Sequence, residues 1–502
     1  MHINRCNAFL LVEMNEMGRK ERYMKNKPFW LLMVVVVLLT ATLAGLWWKY
    51  QSLENTLEQE HQKNYQDSDS WSHLDKVKQA YDIITSNYVE PIEEGQLTEG
   101  AIKGMLGELN DPYSVYMNEE TSSQFQQTLD SSFQGIGAEI SLIDGKFVIV
   151  SPFKNSPAER SGIKPGDEII QIDRKEVKGM ELYDVVSLIR GKVGTKVTIE
   201  IKRGSSEHPI TFLVERDEIP IETVHAAIKE VQDKKIGYIQ ITSFSERTAD
   251  DFSKGLKDME EQKLDGLLID VRGNPGGLLT SVQEILKNFI TKEQPYIQIQ
   301  ERNGKKNKFY STLKEKKEYP IAVLINKGSA SASEIFAGAM QEAEEYPLIG
   351  ETTFGKGTVQ QPVAMGDGST IKLTFYKWLT PDGDWIHKKG IKPTIPVHQE
   401  SYYTLQPLVI TKTLQKDMNN KQVKTLQQML DGVGYAPGRT DGYFNGKTEK
   451  AVKAFQRMYK LPVTGKVDHD VAAQIQQAVV DKIKDEQNDR QLQTGLSWLA
   501  QQ

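Results

Sequence analysis

Ser329-Ala330-Ser331-Ala332-Ser333-Glu334 is the stretch on which the fold turns. A short apolar run, Ile321–Asn326, precedes it and reads as a buried strand, and a helical pattern, Ser333–Glu345, follows. The same grammar repeats upstream. Gly237–Thr242 leads into a helix near Thr248–Gln262, and Leu267–Val271 leads through a glycine turn into Leu278–Phe289. Strands that feed helices through tight turns predict a largely parallel sheet. Open sheets of this kind collect ligands at the carboxyl ends of their strands. Both the serine run and Asp270-Val271-Arg272-Gly273-Asn274-Pro275-Gly276-Gly277 fall there.

A serine at a strand-to-helix junction lies beside free helix N–H groups, which favour developing negative charge. It can equally be an ordinary N-cap, so a catalytic reading needs a base. The eight histidines offer no evident one. His387 and His398 come nearest, in a Lys/Pro-rich stretch without an evident orienting acid. Lysine serves instead when burial lowers its pKa toward neutrality. Phe354-Gly355-Lys356-Gly357-Thr358-Val359-Gln360 supplies one, with glycines on both sides and Gln360 on the strand that follows. The 273–277 glycine amides suit an oxyanion. No Gly-Lys-Ser/Thr follows them, so they are not a phosphate loop.

NPGG, SASASE and FGKGTVQ, in that order, resemble the carboxyl-terminal processing proteases, an S41-type serine peptidase family with a Ser–Lys dyad. The similarity runs from about Trp71 to Val397. It implies that the middle serine of the run is the nucleophile and that a lysine 25 residues on is the base, which selects Ser331 and Lys356. It further implies that Gln360 holds the lysine. The amides of Gly276 or Gly277, with that of Ala332, would form the oxyanion hole. Neither a metal nor a cofactor is implied.

Between Gly135 and Glu218 the period changes to short β-like runs, Ala138–Leu142, Phe147–Val150, Glu168–Ile172 and Lys196–Lys202, parted by Gly/Pro/Asp turns. This segment resembles a PDZ domain. Gly135-Ile136-Gly137-Ala138 matches its carboxylate-binding loop, supported by Ser156-Pro157-Ala158 and Gly162-Ile163-Lys164-Pro165-Gly166-Asp167. Such a loop binds a terminal carboxylate, and the neighbouring strand edge pairs with the peptide. Arg190, after a helix at Leu182–Arg190, is a candidate gating residue. It could pair with a carboxylate in one state, or simply be solvated.

The chain has 502 residues, about three domains by length. Sixty-two Lys and Arg stand against 68 Asp and Glu, so no global basic charge points to nucleic acid. A single cysteine, Cys6, excludes an intramolecular disulfide and a cysteine-built zinc site. Phe29–Trp48 is twenty residues without a charge, preceded by Arg19, Lys20, Arg22, Lys25 and Lys27. That is the length and flanking charge of a membrane anchor with its N-terminus in the cytoplasm. A cleaved signal peptide with a cut at Ala44 is the competing reading. Either places the rest beyond the membrane.

The last lobe, Lys412 to Asp470, carries eleven Lys/Arg and six Asp/Glu, a basic patch in an acidic protein. Its pattern around Val423, Leu426, Asp441-Gly442-Tyr443-Phe444 and Leu461-Pro462-Val463-Thr464-Gly465 resembles a three-helix peptidoglycan-binding-type module. The fold class expected is therefore multidomain α+β. Residues 1–28 form a cytoplasmic N-terminus, 29–48 a transmembrane anchor and 49–70 a linker. A helical region, 71–130, serves dimerisation if it follows relatives. The PDZ domain takes 131–218, the protease core 219–400, the wall-binding module 412–482 and a frayed tail 483–502. The expected partners are protein substrates held by their C-termini, the cell wall and the membrane. A non-catalytic PDZ adaptor and a cell-wall remodelling protein remain as alternatives at this stage.

Overall fold

The computed structural model describes residues 71–502, apart from 144 and 205–207. The expected membrane segment, 29–48, lies outside the described residues, and among these no helix is long and apolar enough to cross a membrane. The chain falls into two units, 1–104 and 105–502. In the first, α1 (Trp71–Asn87) leaves Leu74, Val77, Ile83 and Ile84 exposed along one helix. Helix α2 (Glu94–Gly107) follows it in the chain.

The second unit opens with β1 (Val115–Met117) and α3 (Glu119–Leu129), the latter capped by the Asn118 side chain. The region 71–130 is therefore not all helical. Its β1 pairs antiparallel with a protease strand, Val115 opposite Lys372. A three-residue strand has too little periodicity to register in a sequence.

A PDZ-like sheet follows. The strand β2 (Ser132–Gly135) leads into β3 (Ala138–Ile143), β4 (Lys146–Pro152), the short helix α4 (Pro157–Arg160), β5 (Glu168–Ile172) and β6 (Lys175–Glu176). Helix α5 (Leu182–Ile189), β7 (Lys196–Lys202), β8 (Ile210–Glu215) and β9 (Asp217–Pro220) complete it. The order β3-β4-β5-β7-β8 leaves β3 at an edge. Strands β2 and β9 pair with each other, Gly135 opposite Asp217, so one two-stranded neck carries the chain into and out of the domain.

The core sheet begins with β10 (Val224–Val231) and β11 (Lys234–Ile241), then α6 (Thr248–Glu260), β12 (Gly266–Asp270) and α7 (Leu279–Leu286). Next come β13 (Pro295–Gln300), β14 (Lys306–Tyr310), β15 (Ile321–Ile325), α8 (Ala332–Glu344) and β16 (Leu348–Gly350). Then follow β17 (Thr358–Ala364), β18 (Thr370–Leu379) and β19 (Ile395–Pro396). The sheet order is β10-β11-β12-β15-β16-β19, parallel from β11 onward. Its middle strands, Gly266–Asp270 and Ile321–Ile325, are wholly buried, as unbroken apolar runs in a parallel sheet should be. A second, antiparallel sheet joins β1, β18, β13, β14 and β17.

Helices α9 (Lys421–Gly432), α10 (Gly446–Met458) and α11 (His469–Lys484) form the C-terminal module. Each is capped by a side-chain oxygen, from Asn420, Asn445 and Asp468. The expected frayed tail is instead α12 (Arg490–Ala500), which returns to the protease. Leu492, Leu496 and Leu499 pack on Ile236, Leu268, Leu324 and Ile349, covering the face of the core sheet that α6, α7 and α8 do not. Gly495 lies so close that a Cβ there would sit 2.9 Å from Leu268. Asp489, the N-cap, also binds the Arg272 guanidinium through both nitrogens at 2.8 Å. The acid and amide residues that suggest fraying sit largely ahead of the helix, at 485–489, while its leucines at i, i+4 and i+7 face the sheet.

Candidate active site

Strand β15 ends at Ile325, and the chain turns through 326–330 to place Ser331 at the N-cap of α8. Ser331 has φ +53° and ψ −112°, a conformation costly for a non-glycine residue. The three serines of the run part company here. Ser329 Oγ donates to Val271 O at 2.8 Å and Ser333 Oγ to Asn274 O at 2.9 Å, both fully buried. They tie the helix start to the glycine turn. Ser331 is partly exposed.

One carboxylate fixes this turn. Glu334 is fully buried and accepts four hydrogen bonds. Its Oε2 takes the Ser331 N–H at 2.9 Å and the Lys356 N–H at 2.8 Å. Its Oε1 takes the Gly355 N–H and the Thr353 hydroxyl, each at 2.6 Å. A buried carboxylate is tolerable only when its lone pairs are filled in this way. The backbones of Ser331 and Lys356 thus hang from the same oxygen.

Further hydrogen bonds hold the lysine loop. The Trp378 indole donates to Lys356 O at 2.7 Å, and the Trp385 indole to Gly357 O at 2.8 Å. His387 stacks on Trp385 with centroids 5.0 Å apart and accepts the Gly357 N–H through Nδ1 at 3.3 Å. Burial and neighbouring Lys388 lower its pKa, which keeps that nitrogen free to accept. His387 therefore supports the loop. Gly355, at φ +95°, packs on the 388–390 backbone, and a Cβ on Gly357 would meet the Trp385 indole at 2.8 Å. Both glycines of Gly-Lys-Gly are thus demanded by contact.

The Lys356 ammonium lies 4.9 Å from the Tyr113 ring centroid. Burial, reinforced by Lys372, lowers its pKa from 10.5 to about 8, with Asp111 and Glu334 opposing. Among the described residues it makes no hydrogen bond to Ser331 or to Gln360. The Gln360 amide nitrogen donates instead to the hydroxyls of Thr358 at 2.9 Å and Thr374 at 3.0 Å. The structure thus brings Ser331 and Lys356 to one carboxylate without joining the side chains of 331, 356 and 360.

The glycine turn closes the other side. Gly276 has φ +109°, and a Cβ there would lie 2.8 Å from Ser331 Cβ. Its N–H is already committed to Asn274 Oδ1 at 2.8 Å. Among the described residues, no acceptor is found for the N–H groups of Gly277 and Ala332. Of the two glycines that the sequence left open, Gly277 is the one with a free donor.

In the PDZ domain, Ile136 O and Gly137 O accept from Ala158 N and Phe153 N. Gly137 has φ +73°, and a Cβ would fall 2.5 Å from that of Ser156. Ala138 starts the edge strand β3. Arg190 caps α5, reaches across to α3 to bond Gln127 Oε1, and lies 5.2 Å from the ring centroid of Phe133 on β2. Among the described residues it pairs with no carboxylate. Buried Arg216 holds the end of α5 by donating to Leu188 O and Ile189 O.

Glu334, Tyr113, Trp378 and Trp385 were not singled out from the sequence. Only Glu334 carried a signal, the Ser-x-x-Glu spacing of a capping box. The others approach Lys356 from distant segments.

Comparison with known proteins finds the description "Peptidase family S41" over residues 235–397 and "PDZ domain" over 148–203. "Putative peptidoglycan binding domain" covers 419–475, and "Activating protease CtpB N-terminal domain" covers 35–121. The chain is 54% identical over 433 residues to carboxy-terminal processing protease CtpB of Bacillus subtilis, covering 86% of this chain and 90% of that protein. It is 42% identical over 431 residues to CtpA of the same organism, covering 86% and 91%. A solved photosystem II D1 C-terminal processing protease matches at 27% identity and a TM-score of 0.40, over 66% of this chain and 87% of that one. With a strained serine and a buried lysine loop pinned to one carboxylate, and with relatives matched over nearly their whole length, the chain belongs to the carboxy-terminal processing proteases of peptidase family S41.

Proposed function

We propose that this serine peptidase is an extracytoplasmic, membrane-tethered endopeptidase that cuts protein substrates near their C-termini. Ser331 Oγ attacks the scissile carbonyl. Neutral Lys356 takes its proton and returns it to the leaving amine. The amides of Gly277 and Ala332 receive the oxyanion, and Gln360 orients the lysine. The observation that carries this reading is the Glu334 carboxylate, whose one oxygen holds the N–H of both Ser331 and Lys356. The parked lysine side chain is consistent with a resting state that substrate must convert. The loop at Gly135–Ala138 and the open edge of β3 fit capture of a substrate C-terminus by strand addition. Arg190, at the seam with α3, would pass occupancy of that groove to the protease. The basic C-terminal lobe would bind cell wall, the segment 29–48 would anchor the chain, and the apolar stripe of α1 suits a second copy.

The test is cleavage of one peptide with a free and with an amidated C-terminus. Ser331→Ala and Lys356→Ala should each abolish cutting. Ser329→Ala and Ser333→Ala, which loosen the turn, should only reduce it. The amidated peptide should be cut more slowly by the unmodified chain. Cleavage by Ser331→Ala at the original rate would overturn the catalytic assignment. Equal rates on both peptides would overturn the capture of C-termini.

A further inference from the structure

Asp111 lies in the Asn110–Ser114 segment just ahead of β1, far in sequence from every catalytic motif. Its Oδ2 accepts the hydroxyls of Ser114 and Thr374, each at 2.6 Å, and its Oδ1 accepts the Tyr113 N–H at 3.1 Å. The Ser114 hydroxyl closes the ring by accepting the Thr374 N–H at 3.0 Å. Thr374 is also the residue whose hydroxyl receives the Gln360 amide nitrogen.

The direction of this chain follows from what each group can do. An ionised carboxylate only accepts, so the Thr374 hydrogen points at Asp111. The Thr374 oxygen is then left as an acceptor. The end of the Gln360 amide that faces it must be the NH2 group. Oε1 is thereby turned away from Thr374 and kept for a donor. A lysine that is to take a proton from serine must aim its lone pair at the hydroxyl and its N–H bonds elsewhere. A carbonyl oxygen beside it meets that need, and an NH2 group would oppose it.

We propose that Asp111 is a positioning residue for the base, acting through the Thr374 hydroxyl to fix which end of the Gln360 amide faces Lys356. The proposal rests on the Ser331–Lys356 reading above and makes the segment before β1 part of the working site. It also gives Gln360 a defined polarity. Asn or a protonated acid at 111 could donate to Thr374, reverse the hydroxyl and release the amide to flip. The charged and titratable groups that face Lys356 are Lys372 on β18, Glu334 on α8, and Asp111 and Tyr113 on the segment itself. Of these, Asp111 and Glu334 favour the ammonium form, and Lys372 disfavours it.

The experiment measures kcat and KM against pH for the full chain on a peptide with a free C-terminus. Thr374→Val, Thr374→Ser and Asp111→Asn are compared. Thr374→Val should lower kcat about 10- to 100-fold at nearly unchanged KM, the scale on which a lost supporting hydrogen bond acts. Thr374→Ser should recover most of that loss. Asp111→Asn should lower kcat similarly and also move the acid limb of kcat/KM to lower pH, because a charge that favours the ammonium is gone. Thr374→Val keeps that charge and should leave the limb in place. Original kcat in Thr374→Val, or equal impairment in Val and Ser, would overturn the relay. Should Thr374→Val melt early, an unmoved kcat and pH profile in Asp111→Asn overturns it instead. Ser331→Ala and Lys356→Ala run alongside. If either still cuts, the catalytic reading fails. If both are dead while the relay variants are fully active, the relay alone fails.

Discussion

Ser331 and Lys356 hang from the same Glu334 oxygen, yet their side chains stand in opposite conditions. Around Ser331 everything is fixed by backbone contact: the strained φ, Gly276 pressed against its Cβ, and two neighbouring serines bonded into the glycine turn. Around Lys356 the backbone is equally tight, but among the described residues the side chain is held only by the face of Tyr113. A short side chain on a rigid turn has nowhere else to go. A long one can leave its partner while its own Cα stays in place, and ordering its torsions costs entropy. The proposed nucleophile is therefore pre-organised by folding. The proposed base can be aligned or parked at the cost of one side-chain swing, which makes it the natural point of control.

The largest effect should come from breaking what the two share. Glu334→Ala orphans four donors in a dry site. It should cost at least about 3 kcal/mol of stability and remove activity. Glu334→Gln, which cannot accept on both ends, should fall between. Thermal melting and kcat check both, and unchanged values for Glu334→Gln would show that the shared anchor is dispensable.

A lesion on the far face of the same sheet should separate stability from alignment. Leu496→Ala under α12 should cost about 2–5 kcal/mol while leaving kcat and its pH dependence at low temperature as before. A changed pH profile in that variant would mean that the core sheet transmits strain to Lys356. By the same packing, removing the C-terminal lobe together with α12 would bare the core sheet. Wall-binding tests should therefore keep residues 489–502.

The smallest effect concerns the parked lysine alone. With its pKa near 8, kcat/KM should rise through about pH 8 as the ammonium loses its proton. Tyr113→Leu withdraws the ring that favours the charged form, so the acid limb should move down by about half to one unit, whereas Tyr113→Phe should not move it. Lys372→Met removes a cation that disfavours the charged form, so the limb should move up. Coincident profiles for all three variants would show that neither group governs the base.

Much of this site is local and could be read from the chain. NPGG, SASASE and FGKGTVQ each put small residues where backbone must approach backbone, and the alternation of apolar runs and helical patterns marked the parallel sheet. The same reading missed β1 because three residues show no period. It took α12 for a frayed end because, over the tail 483–502 as a whole, acid and amide residues outnumber the leucines.

What the sequence by itself determined was the order of domains, the strand-to-helix turns that carry Ser331 and the glycines, and the lysine whose flanking glycines let it turn. Only the tertiary structure decided that Gly276 spends its N–H on Asn274, that Glu334 joins two loops 25 residues apart, that Tyr113 and Asp111 reach Lys356 from ahead of the PDZ domain, and that the last helix covers the back of the core. The physical reason is the range of the interactions. Steric demands for glycine and the helical or strand period act between near neighbours and are written locally. A buried carboxylate, a cation–π contact or an apolar face is completed by whichever distant segment the fold delivers, and one chain read in order does not say which segment that is.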